Sequence, residues 1–219
     1  MFKNKKLGFD LDGPLFPFST VCFEKINRKH QYDFGEVEFW SRKNRSNRFY
    51  GKHREEIDRI VADPRTYMEP AVHNTAKSVL NILSKEYGNE IFYVTARGEN
   101  LRPITEMWLS ELPNPDNLFM GYHYKVDIIR DLELDFYTDD RHNIIIDILA
   151  SGLKTDARLF WADYLSYNDV IYSGLPYLLN IKELLAEEEE RGVCPSCERM
   201  YLKDKNGKEF CIKCDWRDK

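Results

Sequence analysis

Across the first 162 residues, short apolar runs rich in β-branched and aromatic residues alternate with amphipathic stretches of helical period, and few folds accept that order. The runs fall at 7–10, 90–95, 118–121, 134–138 and 158–162. The helical stretches fall at 19–30, 70–86, 101–112, 125–132 and 143–151, the second with Val72, Ala76, Val79, Leu80 and Leu83 on one side. Strands separated by helices pair in parallel, so the pattern predicts a doubly wound α/β sheet with helices on both faces. In such sheets a ligand sits at the carboxyl ends of the strands.

The polar residues at those ends are therefore the candidate site. The first run closes on Asp10 and Asp12, followed by Gly13 and Pro14; the second ends in Thr95; the fourth runs into Asp139 and Asp140; and Lys125 opens the helix before it. In an extended strand, residues i and i+2 face one side, so Asp10 and Asp12 would repel each other unless a cation lies between them. Magnesium suits two hard carboxylate oxygens and leaves coordination positions for water and a phosphate. Gly13 permits the sharp turn and Pro14 stops the strand.

The chain of 219 residues, 42% hydrophobic and 32% charged, suits one good-sized core plus something small. Its net charge of -5 argues against a general nucleic-acid coat protein. Residues 7–11 are too short an apolar stretch for a signal peptide, and no segment has the length of a membrane span, so a cytoplasmic protein with no membrane partner is expected. The charge is uneven. Residues 41–54, SRKNRSNRFYGKHR, hold six Lys or Arg and no acidic residue, either a solvated helix face or an anion-facing surface with stacking aromatics. Cys22 reads as core.

The motifs FDLDG at 9–13, YVTAR at 93–97, Lys125 in HYKVD and YTDDR at 137–141 together resemble the haloacid dehalogenase (HAD) superfamily of phosphotransferases, over about the first 165 residues. The resemblance implies that Asp10 attacks phosphorus and forms an aspartyl-phosphate, and that Asp12 acts as general acid and then as base. It also implies a magnesium ion held by Asp10, the Asp12 carbonyl and Asp139, with Asp140 as an outer or alternate ligand. Thr95 would donate to a phosphoryl oxygen, and Lys125 would offset negative charge. Dehalogenating members lack the second carboxylate, so Asp12 points to a phosphatase. Pro14 stands where many members carry Thr or Val.

More chain separates the first two motifs than one helix needs, so residues 19–68 read as a small helical cap inserted into a core of 1–18 and 69–180. Caps exclude water and choose the substrate. With its basic run and the pair Phe39-Trp40, this cap resembles that of the 5'(3')-deoxyribonucleotidase branch and its bacterial and phage relatives, implying a nucleotidase acting on nucleoside monophosphates. Phe39 and Trp40 read equally well as cap core. A polynucleotide 3'-phosphatase is the alternative, since its phosphatase part also carries Asp-Asp-Arg before a helix and a nucleic-acid end would also suit the basic cap. A non-catalytic binding module fits the motif set less well.

Residues 181–192 read as a helical spacer with a solvated run of glutamates, ending at Gly192. In 193–219, Cys194 and Cys197 are followed after thirteen residues by Cys211 and Cys214. Two such knuckles in a segment too short for its own core predict a structural zinc ion on four thiolates. The segment resembles a zinc ribbon with its hairpin turn at 205–208. Its seven basic and five acidic residues, set against a negatively charged zinc–thiolate centre, do not indicate strong nucleic-acid binding, so contact with a protein partner or a lid role is expected.

Overall fold

The computed structural model describes residues 2–36, 38–40, 47–68, 74–160, 175–178, 181–185, 192–193, 200–203 and 209–211, with the backbone alone described at 47–50, 74–75 and the last three segments. Six strands form one parallel sheet: β1 (Lys6–Phe9), β2 (Glu90–Val94), β3 (Leu118–Phe119), β4 (Phe136–Asp139), β5 (Asp156–Phe160) and β6 (Tyr177–Leu178), in the order β3-β2-β1-β4-β5-β6. Phe9 is in register with Tyr93 on one side and Thr138 on the other. The strand bearing the first aspartates is therefore central, flanked by the strands leading to Thr95 and Asp139. Two differences from expectation concern the far edge. Strand β5 begins at Asp156, where an Arg158–Asp156 ion pair of 2.7 Å braces it, and the two-residue β6 carries too little pattern to be read from sequence.

Six helices are described: α1 (Phe18–His30), α2 (Asn47–Ala62), α3 (Asn74–Lys85), α4 (Arg102–Leu109), α5 (Val126–Leu132) and α6 (His142–Ala150). Strand alternation divides the apolar residues between two faces. Leu7, Phe9, Ile91, Tyr93 and Phe136 join Ala76, Val79, Leu80 and Leu83 of α3 and Leu109 of α4 in one core. Phe92, Val94 and Tyr137 join Ile128 and Ile129 of α5 and Ile144, Ile145 and Ile148 of α6 in the other. Helices on both faces are thus present, as the alternation of runs requires.

Helices α1 and α2 bury a third, smaller cluster of Cys22, Phe23, Ile26, Phe39, Trp40 and Ile57, with Tyr32, Phe34 and Ile60 packed against it. The cluster lies within the stretch expected as a cap, and Cys22 is buried in it. Of the basic run, residues 41–46 lie outside the described residues. Lys52 is exposed and Arg54 lies 3.8 Å from Asp58, but His53 is buried, so the run is not one continuous cationic face.

Of the stretch expected as a helical spacer, residues 181–185 are described. Residues Ile181–Leu185 form a 3-10 helix packed against α3, with Ile181 and Leu184 buried in the first core, because the apolar residues of IKELL have a surface to cover. Residues 186–191 lie outside the described residues, and Gly192 lies in a strand. Strands β7 (Gly192–Val193), β8 (Met200–Lys203) and β9 (Glu209–Cys211) form an antiparallel sheet, with Lys203 opposite Glu209. Cys194, Cys197, Cys214 and the expected turn lie outside the described residues. Among the described residues, no helix is long and apolar enough to cross a membrane.

Candidate active site

The segment after β1 is a compact turn. Leu15 and Phe16 donate their amides to the Leu11 carbonyl, and Gly13 donates to that of Phe16, while Leu11, Leu15 and Phe16 are fully buried. The buried leucine anchors the chain between the two aspartates. Gly13 has φ +108°, and a Cβ there would lie 2.7 Å from Cγ of Asp140. Only glycine meets both conditions, so the first motif and the last are in direct van der Waals contact through it.

Asp10 continues β1, its amide donating to the Thr138 carbonyl at 2.9 Å. Its carboxylate accepts from Lys125 Nζ at 2.5 Å, and the same ammonium donates to Asp139 Oδ2 at 2.7 Å. All three are buried. Burial raises the Asp10 pKa, Lys125 opposes the rise, and Asp139 and Asp12 add to it, leaving Asp10 at about 7. Burial also works against ionisation of Asp139, but Lys125 and Arg141 outweigh it and hold Asp139 below the usual carboxylate range. Tyr137 Oη donates to Asp139 Oδ2 at 3.3 Å and the Arg141 amide to Oδ1 at 2.9 Å. Asp10, Asp139 and Asp140 each offer an oxygen within 4.8 Å of the others, a donor set of hard carboxylates that fits a magnesium ion.

Asp12 is held differently. Arg97 Nη2 and Nε donate to its two oxygens at 2.6 and 3.0 Å, and Nη1 reaches Thr105 Oγ1 at 3.3 Å. The guanidinium lies 4.4 Å from the ring centre of Tyr67, 4.9 Å from that of Phe16 and 5.9 Å from that of Trp108. A planar fork stacked among aromatic rings can orient a carboxylate in two dimensions, which an ammonium cannot. The repulsion inferred between Asp10 and Asp12 is therefore already eased by two protein cations. The motif YVTAR contains Arg97, and its place two residues past a strand-end threonine is the signal in the sequence for this role.

Thr95 is buried at the end of β2, its Oγ1 accepting the Arg97 amide at 3.2 Å, which leaves the hydroxyl proton for another acceptor. A cavity of about 590 Å³ opens beside these groups. Its floor includes Asp10, Asp12, Thr95, Asp140 and Arg141, and across from them lie Phe18 and, from the stretch expected as a cap, Trp40, Ile57 and Val61. Of the aromatic pair, Phe39 is fully buried in the cap core; Trp40 reaches the cavity. Among the described residues of α2, the cavity-lining ones are apolar. Among the described residues, the basic groups lining the cavity are Arg141 and His142, at the amino end of α6.

No protein-family model matches the chain. A protein of Oceanobacillus iheyensis bearing the name of a putative nucleotidase is 30% identical over 180 residues, which cover 74% of this chain and 88% of that one. The chain belongs to the same family. Its fold is that of the HAD hydrolases. A HAD hydrolase from Entamoeba histolytica superposes with a TM-score of 0.52 at 15% identity, over 82% of this chain and 94% of its own. A haloacid dehalogenase-like protein from Streptococcus pneumoniae gives 0.53 at 13% identity, over 83% and 96%. A Clostridium acetobutylicum nucleotidase is 29% identical over 110 residues, so the chain spans 49% of itself and only 52% of that relative.

Proposed function

We propose that this HAD-family hydrolase is a magnesium-dependent phosphomonoesterase acting on nucleoside monophosphates. The observation that carries the reading is the grouping of Asp10, Lys125, Thr95, Asp139 and Asp140 at one end of a cavity roofed by Trp40. Asp10 is the nucleophile: its buried carboxylate attacks phosphorus, the ester oxygen leaves, and an aspartyl-phosphate forms. Asp12, oriented by Arg97, takes up a proton from solvent and passes it to the leaving oxygen, then as carboxylate accepts one from the water that hydrolyses the acyl phosphate. The Thr95 hydroxyl donates to a phosphoryl oxygen, and Lys125 balances charge between Asp10 and Asp139. Bound at Asp10, the Asp12 carbonyl and Asp139, with Asp140 beside them, magnesium would neutralise charge on the phosphoryl oxygens.

The nucleotide preference is supported by the names of the relatives, by Trp40 as a face for a base, and by a cavity within the usual size range of small-ligand sites. The tail is proposed to be a zinc ribbon, a reading supported by its antiparallel sheet beside two Cys-x-x-Cys pairs. Phosphate release from nucleoside 5'- and 3'-monophosphates and from a 3'-phosphorylated oligonucleotide, with and without magnesium and at two salt concentrations, tests the proposal. Magnesium-dependent turnover of mononucleotides with little effect of salt is expected. Turnover of the oligonucleotide alone, falling steeply with salt, would assign the site to nucleic-acid ends.

A further inference from the structure

The cap holds a second group of metal-binding side chains that the phosphatase chemistry does not use. His30 ends α1, and Gln31 follows with φ 50°, turning the chain so that Tyr32 lies back over the helix end. The Tyr32 amide donates to Asn27 Oδ1 at 2.7 Å, fixing that turn, and its ring stacks on His30 at 5.6 Å. His53 and Glu56 face them from successive turns of α2. His30 Nε2 lies 2.8 Å from Glu56 Oε2, and His53 Nδ1 lies 3.8 Å from the same oxygen. One ligand atom from each of the three residues lies within 4.8 Å of the others.

We infer that His30, His53 and Glu56 form a binding site for a divalent transition ion of the zinc class, joining the end of α1 to α2. A tetrahedral zinc ion with bonds of about 2.0–2.1 Å sets its ligand atoms about 3.3 Å apart. The observed 2.8 and 3.8 Å bracket that spacing, so side-chain adjustment admits the ion, with water in the fourth position. Coordination through His53 Nδ1 requires the proton on Nε2, and Tyr32 Oη, 2.7 Å from Nε2, is placed to accept it. Such a partner fixes both the tautomer and the ring plane of a metal-binding histidine.

The remaining environment selects the metal class. His53 is 1% exposed. Lys29 Nζ, 3.0 Å from Glu56 Oε1, occupies the other carboxylate oxygen and limits Glu56 to one bond. Two imidazoles and a single carboxylate oxygen beside an ammonium suit zinc, nickel or copper and are a poor set for magnesium or calcium. The site adjoins the roof of the cavity: Ile57 follows Glu56, and the Phe39 ring, 5.7 Å from His53, packs edge-on against Trp40 at 5.0 Å.

The test uses the full chain equilibrated with buffered zinc, then freed of loose metal, with protein-bound zinc counted per chain. His30→Gln and Glu56→Gln, both at partly exposed positions, are each expected to hold one zinc fewer than the parent protein, whereas Cys194→Ser with Cys197→Ser keeps the cap ion. Tyr32→Phe should weaken zinc at this site about tenfold or more. Independently of any variant, crystals of the parent protein grown with stoichiometric zinc should show an anomalous peak at the zinc edge bonded to His30 Nε2 and His53 Nδ1. Equal zinc content in the parent and both cap variants, or no peak between these rings, would overturn the inference and leave His30–Glu56 as an ordinary ion pair.

Discussion

Asp10 combines two demands that conflict. A nucleophile must be ionised, yet this carboxyl is buried and its pKa stands at about 7 without metal, against 3.8 for an ordinary aspartate. The folded state therefore takes up a proton that the unfolded state releases, and the metal-free protein loses stability as pH rises from about 4 to about 7, after which the penalty is constant. Asp10→Asn removes that penalty. The variant is expected to lose all turnover while melting at a higher temperature than the parent in the absence of metal, the gap widening from pH 4 to 7 and then levelling. Thermal melts across that range check this; a gap that shrinks with rising pH would contradict the assignment. Arg97 makes the second residue-scale case. Arg97→Lys keeps the charge but loses the fork, and a misplaced Asp12 is expected to lower kcat by about 10–100-fold with a smaller change in KM. Steady-state kinetics distinguish this from a structural fault, in which the folded fraction would fall and the remaining protein would keep its kcat.

At the scale of elements, two contacts tie the site to the scaffold. Gly13→Ala would place a methyl group against the Asp140 carboxyl and strain a residue at φ +108°, so it is expected to weaken magnesium binding and activity together, as titrations of both would show. In the cap, Phe39 is fully enclosed, and Phe39→Ala should cost about 3–5 kcal/mol of local stability. Amide exchange is expected to quicken in α1 and α2 while β1, β2 and β4 keep their protection. Elements also show which parts of the chain were legible from its sequence. The alternating runs gave away the central strands and their helices because each buries a patterned face, and strand ends carrying Asp10, Thr95 and Asp139 pointed to one crevice. Arg97 was missed because its role depends on Phe16, Tyr67 and Trp108, which meet only in three dimensions. Phe39 and Trp40 are adjacent and chemically alike, and only the direction of the cap chain makes one core and the other cavity wall.

For the whole molecule, the chain carries separate supports for separate tasks. The sheet has its two cores, the cap has its own cluster, and the cysteine-bearing segment has too few residues to bury a comparable one. If the tail is the proposed zinc ribbon, a chelator is expected to release it from folding while leaving the circular dichroism of the sheet and the proposed phosphatase activity in place, provided magnesium is restored. Cooperative loss of the entire structure would show instead that the tail is integral. The 3-10 helix Ile181–Leu185, packed into the first core, marks where such loosening should stop.

The central place of β1 reaches beyond chemistry. Because Asp10 sits between strands in direct register with it, the relative positions of Asp10, Thr95 and Asp139 are set by backbone ladders that no surface change easily disturbs. The cap, by contrast, is one continuous excursion of the chain between Phe16 and α3. Substitutions in that excursion can therefore reshape the wall of the cavity while leaving the spacing of the three strand ends as it was.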